Sequence, residues 1–101
     1  MKQVMIRYRV KPDQVALNEQ LVRDVYDELA RTEPSGLRYV TYKLDDGVSF
    51  VHLAAHTAEN PLQQLDTFQK FQQGIRDRCD EPPVFAELDE IGSYRFYETK
   101  A

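Results

Sequence analysis

The sequence has no tryptophan, one cysteine, two histidines and only four glycines in 101 residues. The single cysteine, Cys79, excludes an internal disulfide and fits a reducing compartment, so a cytoplasmic location is expected. Its plain reading is a semi-buried helix residue rather than a nucleophile. The glycines, at 36, 47, 74 and 92, are too scattered to form a phosphate-cradling loop, and no G-x-S-x-G elbow is present. Basic residues are outnumbered, 13 against 17 acidic, giving a net charge of −4 and a pI near 5.1. That sign argues against nucleic acid and anionic membrane surfaces as partners, both of which select a basic face. No apolar run approaches the roughly 20 residues of a membrane span. Met1-Lys2-Gln3 leads directly into a strand pattern, so no secretory signal is expected.

The composition is that of a globular chain, 42% hydrophobic and 30% charged. With no repeat, linker or low-complexity tract, residues 1–101 are read as one domain. Val4, Ile6, Tyr8 and Val10 alternate with Met5, Arg7 and Arg9, which is strand periodicity. Lys11-Pro12-Asp13 stops that strand and opens a helix. From Asp13 to Glu33, Leu17, Leu21, Val22, Val25, Leu29 and Ala30 recur at helical spacing. Pro34-Ser35-Gly36 ends the helix. Leu37 to Leu44 and Val48 to Thr57 then read as two strands of a hairpin around Asp45-Asp46-Gly47. Asn60-Pro61-Leu62-Gln63 has the form of a helix start. Leu62, Leu65, Phe68, Phe71, Ile75 and Cys79 follow on one stripe, with Gly74 marking a break. Asp80-Glu81-Pro82-Pro83 ends this segment, Val84 to Glu90 is irregular or extended, and Ile91 to Tyr97 is expected to be the last strand.

The order β-α-β-β-α-β specifies an α+β, ferredoxin-like unit with a four-stranded antiparallel sheet. Its third strand is apolar on both sides: Val48, Phe50, His52, Ala54 and His56 lie on one face and Val51, Leu53 and Ala55 on the other. Two helices cover one face of a sheet only, so a second copy is expected on the other.

His52 and His56 share a strand face, with backbones about 13 Å apart at ~3.3 Å per residue. That is too far for two ligands of one metal ion. Two readings stand: polar residues at a strand end or dimer contact, or groups touching two parts of one flat, ring-sized molecule. Tyr39, Tyr42, Tyr94 and Tyr97 on strands and Phe68 and Phe71 on the second helix are core or ring-stacking candidates. Arg7, Arg9, Arg38 and Arg95 cluster on strands, where they pair with acids, line an edge or orient an acidic or phenolic ligand. No nucleotide or metal cofactor is indicated.

Several short stretches fit one family together. They are Arg9-Val10-Lys11-Pro12, Pro34-Ser35-Gly36-Leu37, Thr41-Tyr42, Asp46-Gly47 with Phe50-Val51-His52, and Gly92-Ser93-Tyr94. From Val4 to Phe96 the chain resembles the antibiotic-biosynthesis monooxygenase family of dimeric α+β barrels. The resemblance implies a homodimer, a pocket between sheet and helices, and cofactor-independent oxidation of a small aromatic or polyketide-type molecule. Aligned on the hairpin glycine, His52 and His56 fall where anthrone-oxidising members carry an asparagine and a tryptophan. On that basis His52 is the expected base or orienting donor and His56 a polar pocket group. Tyr42, Phe50, Phe68 and Phe71 are expected to contact the substrate rings, and Arg76 to hold a developing oxyanion. The helix histidines of quinol-oxidising relatives are missing, and no histidine follows His56, which sets haem degradation aside. The alternative is a non-catalytic ligand-binding or structural dimeric domain, or a cyclase or isomerase, since one fold hosts many activities.

Overall fold

A computed structural model describes residues 1–96. Strand β1 (Lys2–Val10) lies inside a four-stranded antiparallel sheet, paired with β3 (Ser49–His56) on one side and β4 (Cys79–Glu87) on the other. β2 (Leu37–Lys43) pairs with the outer side of β3, so the spatial order is β2-β3-β1-β4, the ferredoxin-like arrangement. The alternating apolar residues of β1 face the helices, and Tyr8, Val10 and Phe50 are nearly inaccessible.

Local chemistry explains most boundaries. Gly47 takes the left-handed conformation the hairpin needs, at φ 78°. Asp46 accepts bonds there from the Val48 and Ser49 amides and from the Ser49 hydroxyl, and these hold its carboxyl below the usual range. Pro12 opens a single 3-10 turn, after which α1 (Val15–Thr32) buries Asn18, Leu21, Val22 and Val25 along one stripe. Glu33, at φ 45°, caps its end by donating its amide to the Leu29 carbonyl.

The second helical region is shorter than its periodicity suggests. The Asn60 side chain accepts from the Leu62 amide and starts only a 3-10 turn, Pro61–Gln64. Helix α2 (Asp66–Gln72) follows, and Gly74, at φ 72°, separates it from the one-turn α3 (Ile75–Arg78).

The last strand corrects the sequence reading. β4 runs Cys79–Glu87, so Cys79 opens a strand instead of closing a helix, and the prolines are inside the strand. β4 is an edge strand, where missing amide donors cost no ladder bonds on the open side. Arg7 pairs with Val84 and Arg9 with Glu81, so Pro82 and Pro83 together oppose Tyr8 alone in a bulge. Residues 91–96 form no strand, and Tyr97 lies outside the described residues.

The helices form one layer over the Tyr8–His52 side of the sheet. On the other side, cross-strand rows run Met5, Leu53, Val40, Ala86 and Arg7, Val51, Tyr42, Val84. The segment after β4 skirts that face, tied on by the Leu88 amide donating to the Gln3 carbonyl at 2.8 Å. Together they bound a broad cleft of about 810 Å³, lined by Val40, Leu53, Leu88 and Phe96 among others. Among the described residues no helix is long and apolar enough to cross a membrane.

Candidate functional site

A cavity of about 360 Å³ opens between the helix-side face of the sheet and α2–α3. That is within the roughly 300–1,000 Å³ of small-molecule sites. Its floor is Val4 and Ile6 from β1, Tyr39 from β2, and His52, Ala54 and His56 from β3. Phe68, Phe71 and Ile75 form the roof, and Pro83 and Phe85 of β4 close one side. Strand parity places both histidines here: Ile6, Thr41 and His52 are cross-strand neighbours on one face, and Ala54 beside Tyr39 continues it.

The two imidazoles differ in environment. His52 is 5% exposed, and both its nitrogens are engaged. Nε2 lies 2.8 Å from Tyr8 Oη, while Nδ1 lies 2.5 Å from Tyr39 Oη and 3.1 Å from Thr41 Oγ1. Tyr26 bonds the same threonine hydroxyl at 2.8 Å. Phe71 covers the ring, with centroids 5.2 Å apart. His56 is half-buried, and its Nδ1 lies 2.7 Å from the Thr57 carbonyl. A carbonyl only accepts, so Nδ1 of neutral His56 carries the proton and Nε2 keeps its lone pair.

Burial lowers the His52 pKa from 6.5 to about 4, and it raises those of Tyr8 and Tyr39 well above the phenolic range. The site therefore holds a neutral imidazole between protonated phenols. Below about pH 6.5 the unfolded chain takes up a proton at His52 that the folded chain refuses. Stability from this group is complete above that pH and falls as pH drops toward 4. His52→Gln should flatten the urea-unfolding free energy over this window. A wild-type pH dependence unchanged in that variant would show that His52 is not the source.

The structure brings His52, His56, Phe68 and Phe71 to one cavity, and it places the other sequence candidates elsewhere. Tyr42 pairs with Val51, one residue out of phase with His52, so it faces the opposite side of the sheet. Arg76 is exposed on α3 and does not line the cavity; the buried arginine of that turn is Arg78. Phe50 is core, stacked on Tyr8 at 5.6 Å, and supports the site from beneath.

Sequence reasoning missed Tyr8, Asn18 and Arg78. Asn18 Nδ2 donates to Tyr8 Oη at 2.9 Å, and Arg78 Nε donates to Asn18 Oδ1 at 3.2 Å. A signal existed for the first two, since each interrupts an otherwise apolar stripe. Burial pushes the Cys79 thiol above its ordinary value, which leaves it a weak nucleophile. Among the described residues no three His, Cys, Asp or Glu side chains are grouped to hold a metal ion.

No family model matches the chain, and no curated protein matches it. Solved structures do share its fold. An antibiotic biosynthesis monooxygenase superposes with a TM-score of 0.73 at 18% identity, covering 91% of this chain and 100% of that one. Rv0793 from Mycobacterium tuberculosis gives 0.71 at 18% identity over 91% of this chain and 96% of its own. SnoaB, a cofactor-independent oxygenase from Streptomyces nogalater, gives 0.64 at 16% identity over 91% and 94%. The fold of this chain is thus that of solved antibiotic biosynthesis monooxygenases.

Proposed function

We propose that the protein is a cofactor-independent monooxygenase acting on a small electron-rich aromatic, such as an anthrone, in the cavity beneath α2. The observation that carries this reading is the pairing of His56, with a lone pair on Nε2, and the Tyr39 hydroxyl within one largely apolar cavity. Phe68 and Phe71 offer faces for a fused ring. The role of base passes from His52 to His56, because both nitrogens of His52 are committed to protein partners.

The chemistry balances without a further reductant. His56 Nε2 takes a proton from the activated CH₂ of the anthrone, and the resulting anion passes one electron to O₂. The two radicals combine to form a C–O bond. The peroxide so formed takes the proton back from His56, and loss of the second C–H proton with cleavage of O–O releases water and leaves a carbonyl. The CH₂ carbon is oxidised by four electrons and O₂ is reduced by four. Purified protein treated with chelator should consume O₂ with an anthrone or hydroquinone faster than autoxidation. A rate equal to background across a panel of such substrates would count against the reading.

The active form proposed is a cytoplasmic homodimer. Its support is the second face of the sheet, where Met5, Val40, Val51, Leu53 and Val84 have no helical cover, while Ile91 and Tyr94 beside it are 91% and 81% exposed. A second copy buries such a face symmetrically. Light scattering at micromolar concentration should give twice the 11.8 kDa chain mass. A cooperatively folded monomer would contradict this.

A further inference from the structure

Arg78 is 5% exposed, yet no ion pair among the described residues involves it. Its guanidinium donates to the carbonyls of Phe71 at 2.8 Å and Gln73 at 3.1 Å, and to Asn18 Oδ1 at 3.2 Å. A guanidinium has donors only, so Asn18 must turn its oxygen to Arg78 and its NH₂ to Tyr8. Tyr8 Oη accepts that bond, and its own hydrogen then has one acceptor, His52 Nε2. Were Nε2 protonated instead, the hydroxyl of Tyr8, a residue 2% exposed, would have no acceptor among the described residues. Neutral His52 therefore carries its proton on Nδ1 and points it at Tyr39 Oη and Thr41 Oγ1. Tyr39 keeps its own hydrogen, and Tyr39 lines the cavity.

We infer that Arg78 and Asn18 are positioning residues that align the donors of Tyr8, His52 and Tyr39 toward the cavity, which thereby selects aromatic ligands bearing an acceptor oxygen, a phenolate or enolate. The unneutralised charge of Arg78 lies at the inner end of this chain of bonds, and an anionic oxygen at the outer end complements it. Burial keeps both phenols protonated and so able to donate. The ligand class rests on the cavity being the substrate site proposed above; the direction of the hydrogen bonds does not.

Nitrogen NMR of histidine-labelled protein, assigned with His52→Gln, reads the direction without any ligand. At neutral pH the wild type should show His52 protonated on Nδ1 and bare on Nε2. In Asn18→Asp the introduced carboxylate accepts from both Arg78 and Tyr8, which reverses the chain and moves the His52 proton to Nε2. Tyr39 then donates inward and is lost to the cavity. Binding of 4-nitrophenolate, followed by its absorbance, should weaken by about tenfold or more in Asn18→Asp and in Tyr39→Phe, the scale of one hydrogen bond to a charged group. Binding of 4-nitrotoluene should not weaken. A wild-type His52 protonated on Nε2 would overturn the inference even if Asn18→Asp fails to fold. Correct tautomers with 4-nitrophenolate bound equally by all three proteins would overturn the ligand assignment alone. Correct tautomers with no probe bound by the wild type would overturn that assignment together with the pocket reading.

Discussion

His56→Ala should lower O₂ uptake on a hydroxylated aromatic by at least about a hundredfold, the lower end of what a positioned general base contributes. The folding cost should be small. Among the described residues the side chain makes one hydrogen bond, with the carbonyl of its neighbour Thr57, and the residue is half-buried on the last position of β3. Rate and stability therefore separate at this position, as they do not at His52, where truncation also orphans Tyr8 and Tyr39. His56→Gln keeps much of the volume and an amide donor but supplies no base, so it should be nearly as slow as the alanine variant. Rates within a few-fold of wild type in both, after autoxidation is subtracted, would remove His56 from the reaction. The unfolding midpoint, measured on the same samples, distinguishes lost chemistry from lost structure.

The largest stability effect is expected at Phe71, where truncation to alanine should cost about 3–5 kcal/mol. The residue is 5% exposed and sits at the junction of cavity and core. Its ring meets Tyr8 at 6.1 Å, His52 at 5.2 Å and Phe68 at 5.9 Å between centroids, and Arg78 lies over it at 5.3 Å. Removing it opens the roof of the cavity and leaves the Arg78 guanidinium bonded to the backbone of a helix no longer held down. Since a domain of this kind has roughly 5–15 kcal/mol in total, urea unfolding should shift to much lower concentration. Phe85→Ala, at a residue 58% exposed on the opposite wall, is the control and should cost less than about 1.5 kcal/mol. Equal losses at the two positions would mean that α2 is not anchored through Phe71.

Which parts of this were legible in the sequence follows from the range of the interactions that decide them. The hairpin was legible because Asp46 and Gly47 settle it within a few residues. The histidine pair was legible as a pair because strand parity puts both on one face of the sheet, and the structure shows that face to be the one under the helices. The last strand was misread because proline acts differently on an edge and in the middle of a sheet, and edge position is a property of the whole sheet. Tyr42 was assigned to the site from resemblance, although its parity relative to the hairpin already opposed that of His52. Arg76 enters from resemblance alone, and the single turn of α3 offers no period that would show Arg78 to be the buried arginine. The polar breaks at Tyr8 and Asn18 in otherwise apolar stripes are local, but the bonds joining them to each other and to Arg78 span 10 and 60 residues of sequence, and no local pattern pairs them.

The most direct test of the central claim is a single-turnover reaction of the wild-type protein with an anthrone under isotopically labelled O₂, with the product analysed by mass spectrometry. The expected result is one labelled oxygen in the new carbonyl and the other in water, at a rate well above autoxidation and abolished by His56→Ala. Product free of label, or labelled product formed equally fast by wild type and variant, would contradict it.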